Sequence, residues 1–310
     1  MLPRRTFLKN AGLLAAGVAA LRPLTRTSAR TVSPNEKLNV AVIGFGGVGG
    51  SNISNCADEN VVAMCDLDLK RCAGTIKKFP NAELFTDFRK MLEKRKDIDA
   101  VIIATPDHSH AFIGMACMRE GKHVYIQKPI AHSVFEARRL TEGAREFKVI
   151  SQMGNQGHSG EGIRQICEWI DAGIIGEVRE AHAWTNRPIW PQSSDMDRPK
   201  GDATPPEGMD WDRWCGPAPL RPFNAVYHPG KWRAWCDFGT GALGDMGCHI
   251  IDPVFQALKL LYPTSVEGNV STTFEEFGKK SVPKSECFPR STIARFRFPA
   301  RGALPPVELT

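Results

Sequence analysis

The stretch Leu38–Gly49, which reads LNVAVIGFGGVG, decides the fold of this chain. Its first half is a short run of small and β-branched apolar residues, typical of a buried strand. Its second half carries Gly44, Gly46 and Gly49 in the spacing G-x-G-x-x-G, with Phe45 between the first two. A strand that leads into this spacing predicts a tight turn whose backbone approaches a pyrophosphate. The stretch therefore indicates a dinucleotide-binding βαβ unit.

An acidic residue follows the next predicted strand at the distance that such a unit requires. The apolar run Val61–Cys65 ends at Asp66, roughly 20 residues beyond the glycines. A carboxylate at this place accepts hydrogen bonds from the adenosine ribose hydroxyls and repels a 2′-phosphate. The sequence therefore favours NAD over NADP as the cofactor, although the neighbouring Lys70 and Arg71 soften that preference.

Strand-like and helix-like segments continue to alternate after this unit. They lie at residues 82–85, 87–96, 100–104, 111–120 and 123–126. This order predicts an α/β Rossmann domain, a doubly wound parallel sheet, over residues 36–158. Ligands of such sheets bind beyond the carboxyl ends of the strands, so we expect site residues directly after the strands. The candidates are Thr105, Pro106, His110, Gln127, Lys128 and Pro129.

Four motifs together resemble the Gfo/Idh/MocA oxidoreductase family. They are Gly44–Gly49, Thr105-Pro106 followed by His110, Gln127-Lys128-Pro129 where most members have Glu-Lys-Pro, and Gly244–His249, which reads GDMGCH. The resemblance covers residues 36–310. It implies a Rossmann domain that binds NAD or NADP, followed by a substrate-binding α+β domain with a mainly antiparallel open sheet.

The same resemblance implies roles for single residues. Lys128 would lie beside the nicotinamide and the reacting hydroxyl, and Asp245 and His249 would complete the catalytic set. Their spacing of four places both side chains on one face of a helix, and an imidazole with a carboxylate partner is a suitable proton acceptor near neutral pH. Pro253 predicts a kink soon after them. The cofactor would be bound by Gly44, Phe45, Gly46, Gly49, Asp66, Thr105, Pro106, His110 and Lys128.

Gln127 departs from the family pattern. A glutamate there would stabilise the protonated form of the neighbouring lysine through its charge, and a neutral amide removes that stabilisation. Two roles therefore stay open for Lys128, namely a group that transfers a proton or a hydrogen-bond donor that holds cofactor and substrate.

Histidine and cysteine patterns argue against a metal. The eight histidines contain no H-x-x-x-H or H-E-x-x-H pair, and the nine cysteines contain no C-x-x-C pair. We therefore predict neither a metal site nor a disulfide framework.

The alternation stops near residue 159, and residues 159–310 are predicted to form the second domain. A helix at 163–172 is followed by strands at 177–185, 266–273 and 292–298. The family's sheet needs more strands than this, which indicates a sequence truncated at its carboxyl end. Residues 186–240 are rich in Pro and Gly and hold five of the seven tryptophans. These indoles could stack on sugar rings or staple irregular loops to the domain.

Residues 1–35 predict a leader outside the folded body. The twin arginines Arg4-Arg5 and Lys9 precede an apolar run at residues 11–21. This pattern resembles a twin-arginine export signal, so we expect the export machinery as a partner and a periplasmic or otherwise exported location. The apolar run is shorter than the roughly 20 residues that span a bilayer, so no permanent membrane span is predicted.

The leader also accounts for the basic charge of the chain. The formal charge is +6, and residues 1–35 hold six basic residues and no acidic one. The remaining residues carry equal numbers of the two. The folded part has no basic excess, and no nucleic-acid partner is expected.

Three functions remain open at this stage. The first is an exported NAD(P)-dependent oxidoreductase of a sugar or cyclitol CH–OH group, with tightly retained cofactor and with His249, oriented by Asp245, taking the hydroxyl proton. The second is a redox-neutral NAD-dependent glycosidase or lyase that oxidises a sugar hydroxyl transiently. The third is a sugar-binding protein without activity, which the complete set of Lys128, Asp245 and His249 disfavours. A homo-oligomer is expected.

Overall fold

The computed structural model describes residues 36–201, 203–272, 274–276, 279–280 and 284–310. The predicted twin-arginine signal lies outside the described residues. Within them, no helix combines the length and the apolar character that crossing a membrane requires.

The described residues form nine α-helices and twelve strands, together with a 3-10 helix at Lys231–Ala234. The strands are β1 Asn39–Ile43, β2 Asn60–Cys65, β3 Glu83–Phe85, β4 Ala100–Ile103, β5 His123–Gln127, β6 Ser151–Gly154, β7 Glu180–Ala181, β8 Ser265–Val270, β9 Phe274–Glu276, β10 Lys279–Lys280, β11 Thr292–Phe298 and β12 Val307–Leu309. The helices are α1 Val48–Ser54, α2 Ala73–Ile76, α3 Phe88–Lys94, α4 Asp107–Arg119, α5 Val134–Glu146, α6 Glu161–Asp171, α7 Trp211–Cys215, α8 Gly241–Ile250 and α9 Asp252–Ala257.

The first sheet contains six parallel strands in the order β3-β2-β1-β4-β5-β6. Its central strands are apolar because helices cover both faces. Ala41, Ile43 and Val101 pack into the core on one face, and Val42 and Ile102 pack on the other. The strand order reverses between β1 and β4, the point at which such sheets open a ligand crevice. The predicted doubly wound fold is confirmed.

The second sheet has four strands in the order β7-β12-β11-β8. β11 pairs antiparallel with β12 and β8, and β12 pairs parallel with β7, so the sheet is mixed and mainly antiparallel, as predicted. The strand expected at 177–185 is observed over only the two residues of β7, which pair with Glu308 and Leu309 of β12.

The helix that carries the GDMGCH motif is interrupted near Pro253, where the sequence predicts a kink. α8 ends at Ile250, and α9 begins one residue later at Asp252. Proline has no backbone N–H to donate to the preceding turn, so the ladder of α8 cannot continue through it. Asp245 and His249 both remain on α8, on the face that meets the Rossmann domain.

The described residues 186–201 and 203–240, here called the cover segment, lie across the carboxyl ends of the parallel strands. His108, in the first turn of α4, places Nδ1 3.2 Å from the Phe238 carbonyl oxygen and Nε2 3.0 Å from that of Trp214. A second contact joins Asp68 to His228, with 3.2 Å between Oδ2 and Nε2. The irregular segment is therefore tied to the strand ends that should hold the ligand.

Aromatic packing explains how the cover segment holds its shape with little regular structure beyond α7 and the 3-10 helix. Trp214, Trp232 and Trp235 are buried together with Tyr227 and Phe238 in one core cluster. Trp214 meets Phe238 edge to face at a centroid distance of 4.9 Å, a favourable geometry. For these three tryptophans the structure favours a role in packing the loops onto the domain over stacking on a sugar.

Candidate active site

The glycine turn between β1 and α1 leaves no room for side chains. Gly44 has a φ of +80°, and a Cβ there would lie 2.8 Å from the Ala104 carbonyl oxygen. A Cβ on Gly49 would lie 1.9 Å from the Gly44 carbonyl oxygen. Only glycine lets helix, strand and turn approach this closely, and the bare backbone that results fits a dinucleotide pyrophosphate.

The residues of the turn divide between cavity and core. Gly44 and Gly46 line a cavity of about 490 Å³ at the strand ends. Phe45 and Gly49 do not line it: the Phe45 ring is buried in the sheet core, and Gly49 lets α1 pack against β1. Both therefore act on the predicted cofactor site through the shape of the turn.

Asp66 lines the same cavity and also holds the glycine turn in place. Its Oδ2 accepts hydrogen bonds from the N–H groups of Phe45 at 2.8 Å and Gly46 at 3.2 Å. The guanidinium of Arg71 lies beside this turn, 3.2 Å from where a Cβ on Gly46 would be. A carboxylate and a guanidinium thus both line the cavity where the sequence predicts the adenosine ribose.

Thr105 and Pro106 follow β4 and line the cavity, as expected from their position. His110 differs from the prediction that it contacts the cofactor. Its imidazole is 1% exposed, and it lies 2.8 Å from the Pro129 carbonyl oxygen and 2.7 Å from that of Thr105. It does not line the cavity, because its ring is buried between the carbonyl oxygens of two site loops.

Lys128, Asp245 and Arg233 form a charged network where the two domains meet. The Lys128 Nζ lies 2.7 Å from Asp245 Oδ1 and donates to the Asp245 carbonyl oxygen at 2.8 Å. The Arg233 Nε donates to the same Oδ1 at 3.1 Å. Burial alone would raise the pKa of Asp245, but the hydrogen bond and charge of Lys128, with the charge of Arg233, hold it below its ordinary value. Asp245 is therefore ionised near neutral pH.

His249 lies beside this network, but Asp245 does not orient it as predicted. Its Nδ1 is 3.2 Å from the Gln156 carbonyl oxygen. Because a carbonyl can only accept, Nδ1 carries the proton and Nε2 carries the lone pair. The expectation of an Asp245–His249 pair was wrong: in the described structure Lys128 and Arg233 take the Asp245 carboxylate instead.

The surroundings of His249 favour its neutral form. Burial and the charge of Lys128 lower the pKa of His249 below the ordinary histidine value. The carbonyl of Gln156 and the charges of Asp245 and Asp252 oppose this but do not outweigh it. His249 is therefore a neutral proton acceptor at pH 7.

A second cavity of about 540 Å³ adjoins the first at the charged network. Lys128 and Arg233 line both cavities. Asp245 and His249 line the second, together with Met246 and with Arg187, Ile189 and Trp190 of the cover segment. The catalytic set predicted from the sequence thus lies at the second cavity, next to the cavity where the sequence predicts the dinucleotide.

Gln127, the departure from the family pattern, is buried at the floor of the first cavity. Its Oε1 accepts from the Lys128 backbone N–H at 3.3 Å and from the Gln156 Nε2 at 3.3 Å. Its Nε2 has no partner in the described structure. A buried amide donor beside Lys128 is suited to an acceptor group of a ligand.

Sequence reasoning missed Arg187 and Arg233, because both belong to the irregular cover segment, where no periodicity or motif marks them. A lone arginine in a loop carries no signal. Within the described residues no three side chains of the His, Cys, Asp and Glu types converge as a metal site would require.

Two sequence models of the Gfo/Idh/MocA family match the chain. One, described as "Oxidoreductase family, NAD-binding Rossmann fold", matches residues 38–155. The other, described as "Oxidoreductase family, C-terminal alpha/beta domain", matches residues 178–273. The two matches together cover more than half of the chain.

Similar proteins include enzymes of two kinds. Inositol 2-dehydrogenase of Rubrobacter xylanophilus is 34% identical over an alignment of 155 residues, and the match covers 48% of this chain and 44% of that protein. A glycosyl hydrolase family 109 protein of Shewanella sp. (strain W3-18-1) is 29% identical over an alignment of 207 residues, and the match covers 58% of this chain and 45% of that protein. The match thus spans less than half the length of either relative.

Solved structures share the fold. The WlbA dehydrogenase from Bordetella pertussis, solved with NADH and UDP-GlcNAcA, superposes with a TM-score of 0.62 at 16% identity. The match covers 88% of this chain and 71% of that chain. At this identity the likeness shows a common fold.

Proposed function

Because the chain belongs to the Gfo/Idh/MocA oxidoreductase family, with its NAD-binding Rossmann domain, we propose that the protein oxidises a CH–OH group of a sugar or cyclitol. One observation carries the proposal: Lys128 and Arg233 line both cavities, next to Asp245 and the neutral His249. A nicotinamide entering from the first cavity and a hydroxyl entering from the second would meet at this junction.

The residues divide the chemistry between them. Bound NAD supplies the hydride acceptor. His249 Nε2 would accept the hydroxyl proton of the substrate while the carbon that bears this hydroxyl gives up its hydrogen as hydride, which leaves a carbonyl. The Lys128 ammonium donates a hydrogen bond to the substrate oxygen, and Asp245 holds this ammonium in place. The proton on His249 then returns to solvent.

The test is a panel of sugars and cyclitols, read by nicotinamide absorbance and by identification of the product. His249→Gln is expected to lose activity by two orders of magnitude or more, which corresponds to about 2.8 kcal/mol of transition-state stabilisation. His182→Gln is the matched control, because that imidazole is exposed on the second domain, away from both cavities. Near wild-type turnover by the His249 variant would remove it from the mechanism.

A second candidate is a redox-neutral glycosidase or lyase, favoured by the match to the glycosyl hydrolase family 109 protein, which is longer than the match to inositol 2-dehydrogenase. In this reaction the hydride returns to the sugar after elimination has broken the glycosidic bond. The product decides between the two: a stable ketone or lactone for the oxidoreductase, or a released aglycone without net redox change.

Export with a retained cofactor is part of the proposal. The twin-arginine pattern of the leader supports export, and the ties of the cover segment to the Rossmann domain through His108 and Asp68 support slow release of NAD. Extensive desalting of protein from its exported compartment should leave nicotinamide bound, as measured by mass spectrometry. Protein that emerges empty, and that turns over only with added NAD and equal NADH release, would contradict retention.

A further inference from the structure

The second cavity carries more positive charge than its own residues neutralise. Lys128, Arg187 and Arg233 line it, and Asp245 is its one acidic residue in the described structure. Asp245 already binds both Lys128 and Arg233. Asp107, a nearby acid, lines only the first cavity, and burial raises its pKa. The cavity is therefore left with an excess of cationic groups.

Among the described residues, Arg187 is the cation of this cavity that has no polar partner. Its guanidinium forms no hydrogen bond and no ion pair with any described residue, and it lies 5.8 Å from the centre of the Trp190 ring. Stacking on an aromatic face holds an arginine while leaving its N–H donors available. Arg187 is thus half-buried at the cavity wall, with its donors free.

Trp190, on which Arg187 rests, is itself fixed. Its Nε1 donates to Gln192 Oε1 at 3.0 Å, and the buried Gln192 donates from Nε2 to the Pro289 carbonyl oxygen at 2.7 Å. Trp190 lines the second cavity, unlike the three tryptophans of the core cluster. This chain of contacts positions Arg187 before any ligand arrives.

We infer that the substrate is an acidic sugar, whose oxyanion group binds Arg187 while its reacting hydroxyl lies at Lys128 and His249. The inference rests on the proposed function for the reacting hydroxyl. A planar guanidinium with free donors pairs with a carboxylate or phosphate through two parallel hydrogen bonds, and a neutral sugar offers no such group. The negative charge of the substrate would also offset the cationic excess of the cavity.

The experiment compares neutral and acidic sugars on the NAD-loaded protein. Calorimetry and turnover are measured in parallel for glucose, glucuronate and glucose 6-phosphate, and for galactose and galacturonate. The inference predicts that an acidic sugar binds at least about 10-fold more tightly than its neutral counterpart, with an affinity that falls as salt rises. The uronates and the phosphate distinguish a carboxylate from a phosphate ester. Neutral sugars that bind as well as acidic ones overturn it.

Arg187→Gln should weaken binding of the acidic sugar about 10-fold to 100-fold and leave the neutral sugar within about 3-fold. Arg187→Lys restores the charge without the paired donors and should recover part of the loss. Arg179→Gln is the matched control, because Arg179 is exposed and bound to Glu177 outside both cavities. Equal losses for acidic and neutral sugars would overturn the inference.

The two proposals fail in different ways. An acidic sugar that binds through Arg187 without nicotinamide reduction upholds the subsite and counts against the oxidoreductase. Oxidation of neutral sugars alone, unaffected by Arg187→Gln, upholds the oxidoreductase and removes the acidic-sugar subsite.

Discussion

The glycine turn and the cover segment face each other across the same cavity, but they build it by different means. The turn acts through its backbone, since Gly44 and Gly49 are needed because they have no Cβ. The cover segment acts through side chains, since it contributes Arg187 from irregular chain and Arg233 from the short 3-10 helix at Lys231–Ala234. A required backbone geometry produces a recognisable spacing of glycines in the sequence. The placement of a side chain by packing produces no such pattern. The cofactor end of the site could therefore be predicted from the sequence. At the substrate end the motifs marked Lys128, Asp245 and His249, but nothing in the sequence marked Arg187 and Arg233.

Gly49→Ala, which tests the glycine turn, is the variant with the largest expected effect. The new Cβ would lie 1.9 Å from the Gly44 carbonyl oxygen, so the turn must move. We expect NAD affinity to fall by about 100-fold or more, equivalent to about 2.8 kcal/mol, together with a lower Tm. Gly74→Ala in α2 is the control, because a Cβ there meets nothing within 4 Å. Calorimetry that finds NAD binding within about 3-fold of wild type would show that the turn tolerates a side chain.

Lys128→Met tests the charged network at which the two cavities adjoin. Removing the ammonium leaves Asp245 with Arg233 as its cationic partner and takes away the donor to the substrate oxygen. We expect kcat to fall by about 10-fold to 100-fold, or about 1.4 to 2.8 kcal/mol, with smaller effects on NAD binding. Lys96→Met, at an exposed ion pair with Glu120, is the control. An unchanged kcat would place Lys128 outside the reaction.

Asp66→Ser tests the selectivity of the cofactor site for NAD over NADP. The substitution removes a charge that should repel a 2′-phosphate and also removes the acceptor of the Phe45 and Gly46 N–H groups. NAD affinity should fall by about 10-fold and NADP affinity should rise, as measured by calorimetric titration. Asp66→Asn keeps an acceptor and separates the two effects. If the ratio of the two affinities does not move, Asp66 does not contact the ribose.

The smallest expected effect is on the titration of His249, followed by NMR. Its pKa should lie below the ordinary histidine value of about 6.5, because burial and Lys128 disfavour the charged ring. Lys128→Met should raise this pKa, and Asp245→Asn should lower it further. The acid limb of the pH dependence of kcat/KM should accordingly lie below pH 6.5, since the ring loses its role as base when protonated. A wild-type pKa above 6.5 contradicts this description.

Much of the Rossmann domain could be predicted because its signals are local. Each signal predicts an element within a few residues: the apolar runs predict strands, Gly44–Gly49 predicts a turn, and Asp66 marks the end of a strand. His110 shows where prediction from local signals ends. Its position in the motif is informative, but only the fold shows that its two ring nitrogens lie next to backbone carbonyl oxygens. The role of a side chain is decided by what surrounds it.

The catalytic set shows the same limit over a longer distance. A spacing of four places Asp245 and His249 on one helix face, and this geometry was predicted. The partner of Asp245 was not, because Lys128, more than a hundred residues away in the chain, lies closer in space and carries a full opposite charge. The tryptophans of the cover segment divide similarly: Trp214 is part of the core cluster, and Trp190 lies at the second cavity, for reasons that only packing supplies.

The distribution of indoles gives the protein built-in optical reporters. Trp214 and Trp232 line the first cavity, and Trp190 lines the second. A reduced nicotinamide accepts excitation energy from nearby indoles, so occupation of the first cavity should quench their emission and sensitise the blue fluorescence of the cofactor. A ligand in the second cavity should act mainly on Trp190. Trp190→Phe would then separate the two signals, and one fluorimeter could follow the filling of each cavity in the same sample, without labels.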